Sequence, residues 1–214
     1  LGGVLEKKEG DRIGYDYNIG VSQWQTFVSI EASGAKWRAF LSGQAGKMKY
    51  QRTGNFRNEK YPEASLGTGK GKGFADYGVK GGLTYQITGR HWIVVNGVLM
   101  RRPPVLRNTF INPRERHGFV DKLQSERLAS AEVSYFLKGT VLTSRLSGYY
   151  TRIMDQGKVN FFFSDTGFGS GFIQEIATGI DMLHKGVELG LELDLSPSVQ
   201  LSTVVALGEF TYAS

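Results

Sequence analysis

The feature that most constrains this chain is a strict two-residue alternation of apolar and polar side chains over long segments. It is clearest at 187–195, where aliphatic side chains occupy every odd position and Glu188, Glu192 and Asp194 lie between them. Successive side chains of a β-strand point to opposite faces, whereas a helix repeats every 3.6 residues. The segment is therefore predicted to be a strand with one apolar and one acidic face.

Similar alternation of side chains recurs along the chain, and the connections between these segments are short and long in alternation. The alternation predicts roughly ten strands of about twelve residues, longer than the five or six residues usual in soluble sheets; segments 10–21 and 172–183 show the weakest pattern. The short connections are Ser33-Gly34-Ala35, Thr88-Gly89-Arg90, Lys138-Gly139-Thr140 and Ser196-Pro197-Ser198, and the long ones are 51–71, 102–124 and 155–171. One rim of tight turns and one rim of long loops is typical of a transmembrane β-barrel.

Composition limits the alternatives. The chain has no cysteine, which excludes disulfides, thiolate zinc sites and thiol catalysis. No apolar run approaches the roughly eighteen residues of a membrane helix, so a membrane-spanning form must be a closed barrel, which satisfies all backbone polar groups. A soluble all-β module that binds carbohydrate or nucleic acid would have a similar composition and is the alternative.

The candidate chemistry is sparse. His91, His117 and His184 match no metal-ligand spacing, and we interpret them as a strand-end, a loop and a turn residue. The glycine-rich segment 67–73 has no Ser or Thr after a Gly-Lys pair, so it is expected to be a flexible loop tip and not a phosphate loop. The acidic residues of 187–195 line a solvated wall without a nucleophile or base beside them. We expect no catalytic residue, no metal site and no cofactor.

Two segments are rich in cationic side chains. Residues 36–72 hold nine Lys or Arg against two acids, in a chain of net charge +6, and could form a nucleic-acid surface, a rim facing anionic lipid headgroups, or a solvated loop. Residues 101–126 combine Arg and Asn with stiffening prolines, a composition that suits either ligand capture or packing of loops over a barrel mouth.

Several short motifs resemble, in order and spacing, the C-terminal part of the barrel of TonB-dependent outer-membrane receptors. In that family a Pro-Arg loop precedes a Ser-Glu strand start, and a Gly-Val-Glu strand follows further along. The resemblance covers 83–212 and extends more loosely to the residues before it. The motifs are Asn112-Pro113-Arg114, Ser125-Glu126-Arg127, Ala131-Glu132-Val133-Ser134-Tyr135, Tyr149-Tyr150-Thr151 and Lys185-Gly186-Val187-Glu188-Leu189.

The resemblance implies an all-β fold, an antiparallel transmembrane β-barrel of about twenty-two strands enclosing a plug domain in the outer membrane. It implies a receptor that imports a scarce nutrient (an iron chelate, cobalamin or a glycan), with a TonB-type energy-coupling complex acting through the plug. About ten strands cannot close such a barrel and no plug or coupling box is seen, so residues 1–214 are expected to be a partial barrel domain, truncated at both ends.

The resemblance also gives the chain its expected partners and site. The partners are outer-membrane lipid, the imported ligand and the coupling complex, and no nucleic acid is expected. In the 102–124 loop, the side chains expected to contact the ligand are those of Arg107, Asn112, Arg114 and Arg116.

Overall fold

The computed structural model describes residues 8–9, 14–165 and 170–213, and most of them lie in one antiparallel sheet. The described residues include a single 3₁₀ turn, Leu106–Asn108, and no helix long and apolar enough to cross a membrane. The strands are β1 (Tyr17–Ser33), β2 (Trp37–Gly54), β3 (Gly67–Thr68), β4 (Lys72–Thr88), β5 (His91–Arg102), β6 (Glu126–Lys138), β7 (Leu142–Asp165), β8 (Ser170–Ser196) and β9 (Val199–Tyr212).

The strands form a meander in which each long strand pairs with its neighbours in the chain, in the order β1-β2-β4-β5-β6-β7-β8-β9, while the short β3 pairs with β2. Among the described residues β1 and β9 are the two edges and do not pair with each other, so the sheet is open. The predicted antiparallel fold is confirmed, as are all four predicted short turns. These turns lie together at one end of the strands, which we call the turn rim. The longer connections lie at the other end, the loop rim.

Two sequence predictions need correction. The segment 155–171 was expected to be a loop, but β7 and β8 stay paired through Asp165 and Ser170. Two bulges, one in each strand and at nearly the same height, break the alternation there, and Asp155 (φ 61°) and Gly179 (φ 75°) lie beside them. The two segments with the weakest pattern also merge with the strands that follow them, the described part of 10–21 into β1 and 172–183 into β8. With the short β3, which the sequence did not predict, the described residues form nine strands and not ten.

The register separates the sheet into an apolar and a polar face. Directly paired residues lie on the same face of a sheet. Following the pairs from strand to strand therefore gives a row of residues that crosses the whole sheet. One row is apolar on every long strand, and the row next to it on the same face carries Trp37, Tyr85 and Tyr135 near the turn rim. The apolar row consists of Ala32, Ala39, Leu83, Val95, Val133, Gly148, Val187 and Leu207.

The polar face carries hydrogen-bonded side chains. Arg145 donates to Glu132 (Nη2 to Oε1, 2.8 Å) and to Ser147 (Nε to Oγ, 2.9 Å), while Ser134 Oγ lies 2.8 Å from both Glu132 Oε1 and Ser147 Oγ. Buried polar atoms that satisfy one another in this way hold the strands in register.

Tyrosine packing on the polar face depends on glycine. The Tyr149 side chain crosses the sheet over the directly paired Gly186 and Gly208, where an added Cβ would lie 2.6 Å and 3.0 Å from the tyrosine hydroxyl. Both positions therefore need glycine for Tyr149 to lie flat against the wall, an arrangement known from other sheets with exposed glycines.

The hydrophobic core lies between the polar face and the loops at the loop rim. Phe110 and Val120 of the β5–β6 connection, each 1% exposed, pack with Tyr50 and Phe74 of the wall. Phe110 and Phe119 stack with their ring centroids 4.6 Å apart. The remaining buried members of this core are Leu123 and Val159. Apolar burial at this end therefore fixes the loops to the sheet.

Candidate functional site

The candidate site is formed by two connections that fold back over the polar face at the loop rim. The first loop, 55–71, joins β2 to β4, and the second loop, 103–125, joins β5 to β6. The second loop is tied to the wall by the Tyr50 hydroxyl, which donates to the carbonyl of Pro104 (3.0 Å), and by Ser125, whose hydroxyl donates to the carbonyl of Ala75 (3.2 Å). Burial, together with the nearby carboxylate of Glu126, raises the pKa of the Tyr50 hydroxyl, so it stays protonated and able to donate.

Arg52 links the two loops to each other. Arg52 is 1% exposed and lies near the loop-rim end of β2, with its side chain on the polar face. Nη1 donates to the carbonyl of Ser65 in the first loop (2.8 Å), and Nε donates to the carbonyl of Pro113 in the second (2.6 Å). The guanidinium carbon also lies 5.1 Å from the centre of the Tyr17 ring. Burial lowers the pKa of Arg52 from its ordinary value, but a guanidinium remains charged in proteins.

His117 completes this junction, and its contacts define its tautomer. Nη1 of Arg52 lies 3.0 Å from Nδ1 of His117, and since a guanidinium can only donate, Nδ1 must accept. The ring proton is then on Nε2, which donates to the carbonyl of Leu66 (3.3 Å). The ring is packed tightly, because a Cβ on Gly69 would lie 2.6 Å from it. His117 is a loop residue, as predicted: it belongs to the second loop and bonds to the first loop and to Arg52 of the wall.

The four residues predicted to contact ligand have different local roles. Asn112 builds the turn of the second loop: its side-chain oxygen accepts from the backbone N–H of Arg114 (3.2 Å), and its carbonyl accepts from Glu115 and Arg116. Arg107, in the 3₁₀ turn, and Arg114 are exposed, and Arg116 is half-buried. The geometry thus brings Asn112, Arg114 and Arg116 into one turn, and their contact with a ligand stays a prediction.

Sequence reasoning missed the tyrosines that accompany these arginines. The guanidinium of Arg114 lies 5.1 Å from the ring centre of Tyr15, and that of Arg116 lies 4.7 Å from the ring centre of Tyr61. Within the described residues no acidic side chain pairs with either arginine, and the buried Nε of Arg116 has no hydrogen-bond partner. The result is a cationic surface with two stacked aromatic rings, suited to an anionic or aromatic ligand.

Other candidates take structural roles. His91 starts β5, as predicted, and its Nδ1 lies 2.6 Å from the Tyr135 hydroxyl. His184 was expected in a turn, but it lies inside β8 and packs edge-on against Phe210. The described residues contain no group of three potential His, Cys, Asp or Glu metal ligands. The glycine-rich 67–73 segment is not a free loop tip, because Gly67–Thr68 is strand β3 and is paired with β2.

The charged segments are also explained by the sheet. Gln200 donates to both Glu192 (3.0 Å) and Asp194 (2.9 Å), which gives these carboxylates cross-strand partners on a solvated wall. The basic residues of 36–72 do not form one surface: Arg38 and Arg52 lie on the polar face and Lys47 and Lys49 on the apolar face. This division does not support a single nucleic-acid surface on that segment.

Comparison with known proteins identifies the fold. No protein-family description and no curated protein matches the sequence. Among solved structures, the chain resembles the copper transporter OprC (15% identity, TM-score 0.62, 89% of this chain and 30% of that one). It also resembles the ferric-catecholate import receptor Fiu of Escherichia coli K12 (10%, 0.65, 94% and 29%) and the siderophore receptor PirA of Pseudomonas aeruginosa (10%, 0.53, 91% and 44%).

These three neighbours are TonB-dependent receptors, in agreement with the resemblance found in the sequence motifs. The chain spans less than half the length of each of them. At these identities the likeness establishes the fold: the described sheet has the architecture of part of a TonB-dependent receptor barrel.

Proposed function

We propose that this chain forms a ligand-capturing part of the barrel wall of an outer-membrane receptor that imports a scarce nutrient with TonB energy coupling, and that it is not an enzyme. The observation that carries the proposal is the division of the sheet into a mainly apolar face, interrupted by the Lys185–Glu209 ion pair, and a polar face whose loop rim is covered by two anchored loops. A wall with lipid on one side and water on the other has this division.

The apolar face has the height that a bilayer requires. From Leu137 near the turn rim to Ala129, one row short of Arg127, β6 presents only apolar or aromatic side chains to this face. Those nine residues rise roughly 31 Å along the strand, and a strand tilt of about 40° reduces this to about 23 Å, close to the roughly 25 Å apolar band of outer-membrane barrels. Tyr85 and Tyr135 at one end and Tyr77 at the other are placed like the aromatic girdles of such barrels.

The ligand class follows from the second loop and from what the neighbours are named for. OprC is named as a copper transporter, Fiu as a ferric-catecholate import receptor and PirA as a siderophore receptor. In this chain the cationic surface of Arg114 and Arg116, with Tyr15 and Tyr61 beside it and the exposed Arg107 in the same loop, supports an anionic chelate over a bare cation or a neutral glycan.

The test is binding of a ferric catecholate chelate, cobalamin and a linear oligosaccharide to the detergent-purified protein and to its Arg107→Ala, Arg114→Ala and Arg116→Ala variants. Loss of charge-assisted hydrogen bonds should weaken binding of the preferred ligand about tenfold or more per essential arginine. Arg57→Ala, which removes an exposed arginine of the first loop paired with Glu63, is the matched control. Unchanged affinity in all three variants would contradict the assignment of these residues.

A further inference from the structure

We propose that the loop-rim border of the apolar face is a binding site for the phosphorylated headgroup of an anionic membrane lipid, centred on Arg101 and Lys47. The inference rests on the proposed function, because it requires the apolar face to contact lipid. It concerns the outside of the wall, opposite to the face that carries the candidate nutrient site.

The first observation is a pair of like charges that face each other. Arg101 of β5 and Arg127 of β6 are direct cross-strand partners on the apolar face, with Tyr77 paired to Arg101 on its other side. Like charges directly opposite each other destabilise a sheet unless an anion lies nearby. Arg127 has one: its Nε lies 2.6 Å from Asp155, and the Asp155 backbone N–H donates to Asp181.

Arg101 has no such anion near it among the described residues. In the described part of the chain it makes no ion pair, and its buried Nε has no hydrogen-bond acceptor. Asp76 precedes Tyr77, the cross-strand partner of Arg101. Its carboxylate lies on the opposite face, where Gln25 and Gln44 donate to it. An unpaired guanidinium beside a second arginine is therefore missing an anion that the described residues do not supply.

Two further cations extend the border. Lys47 and Lys49 of β2 lie on the same face, exposed, and neither pairs with an acid among the described residues. Lys47 is two strands and one row away from Arg101, roughly 12 Å by the usual strand and residue spacings, so both long side chains can reach one headgroup. Trp24, directly paired with Lys47, is 64% exposed and has the amphipathic ring typical of a membrane interface.

The surface below these cations fits acyl chains. Gly81 and Gly97 are direct partners on the apolar face, and Gly43 lies in the next row toward the loop rim. Because Gly81 and Gly97 carry no side chain, their row forms a shallow apolar trough between Leu41 and Ala131, and the row of Val79 and Leu99 lies between this trough and the cationic border. A cationic, aromatic border above an apolar trough matches the two halves of an anionic lipid, whereas a free phosphate would have no use for the trough.

The experiment is native mass spectrometry of the full protein in detergent micelles that contain phosphatidylglycerol or phosphatidylcholine. We expect preferential retention of phosphatidylglycerol, reduced by added salt, and about fivefold weaker retention in Arg101→Gln and in Lys47→Gln, since each cation near a lipid surface contributes about that factor. The two variants lie on different strands, so a folding defect in one leaves the other informative. Arg90→Gln, which removes a cation at the turn rim, should retain lipid like the unmodified protein.

Equal retention of the two lipids, or unchanged retention in both variants, would overturn the lipid site while leaving the barrel proposal intact. Full displacement by inorganic phosphate would show that the cations bind a free anion and would also overturn it. A protein that stays monomeric in buffer without detergent would instead refute the proposed function itself.

Discussion

Replacing Arg52 by methionine tests whether one buried guanidinium holds both loops on the wall. The change keeps most of the apolar length of the side chain and removes the donors to the carbonyls of Ser65 and Pro113 and to Nδ1 of His117. Leaving a buried acceptor unsatisfied costs about 1–3 kcal/mol. These acceptors lie near the rim, where water can reach them on opening, so the lower end applies, about 3 kcal/mol for the three together.

The assay is hydrogen exchange of the loop amides. The His117 N–H, which donates to the carbonyl of Ala64, reports directly on loop-to-loop docking. A loss of about 3 kcal/mol should speed its exchange about 150-fold, because 1.4 kcal/mol corresponds to a factor of ten. The amide of Val95, in the middle of the sheet, should not change, since the loops can open without unfolding the wall.

The matched control is Arg57→Met in the first loop. Arg57 and Glu63 form an exposed ion pair of 3.5 Å, a type that contributes at most about 1 kcal/mol, so His117 exchange should change less than about fivefold. If Arg52→Met leaves His117 exchange equal to that of the control, Arg52 does not hold the loops. If Val95 exchange accelerates as well, the loops and the wall form one cooperative unit and the loops do not open independently.

Three further predictions test the wall and the core. Val95→Arg, on the apolar face, should lower the free energy of unfolding of the membrane-inserted protein by about 2–4 kcal/mol. Val94→Arg, on the polar face, should change that free energy by less than about 1 kcal/mol. Both are measured by denaturant titration in lipid vesicles, and equal costs would contradict the assignment of the faces. Gly186→Val should displace the Tyr149 ring from the wall, which near-ultraviolet circular dichroism would detect as a lost tyrosine signal. Phe110→Ala should cost the loop core about 3–5 kcal/mol and expose the second loop to limited proteolysis, and a loop that stays resistant would show that hydrogen bonds alone hold it.

The sequence predicted the wall well because strand alternation and turn chemistry are local. In 187–195 the alternation alone assigns each side chain to a face, and Ser196-Pro197-Ser198 ends the strand where β8 ends. The same logic failed at 155–171, where two bulges interrupt the alternation. The second bulge offsets the first, so β7 and β8 resume their original register beyond it. A local pattern cannot show that an irregular stretch is followed by renewed pairing.

The site was less predictable, because its contacts join residues far apart in sequence. Arg52 and Pro113 are separated by 61 positions, and Arg52 and His117 by 65. Alternation from Tyr50 does place Arg52 on the polar face, but it cannot show that a loop from another hairpin covers that face. The Asn112-Pro113-Arg114 motif is part of the family resemblance, and the structure gives it a physical role: Asn112 shapes the turn and the carbonyl of Pro113 accepts from Arg52.

The position of Arg52 explains why the loops are ordered with so few ion pairs. A carboxylate partner would pair with the guanidinium and leave fewer donors for the loop carbonyls, whereas backbone acceptors from both loops use several donors at once. Among the described residues, Arg114 and Arg116 have no acidic partner and lie beside the rings of Tyr15 and Tyr61. The cost of holding these cations close together is offset locally by the tyrosine rings and the fixed turn. An anion arriving at this rim therefore meets charges that are already positioned, and binding needs little further ordering of the loops.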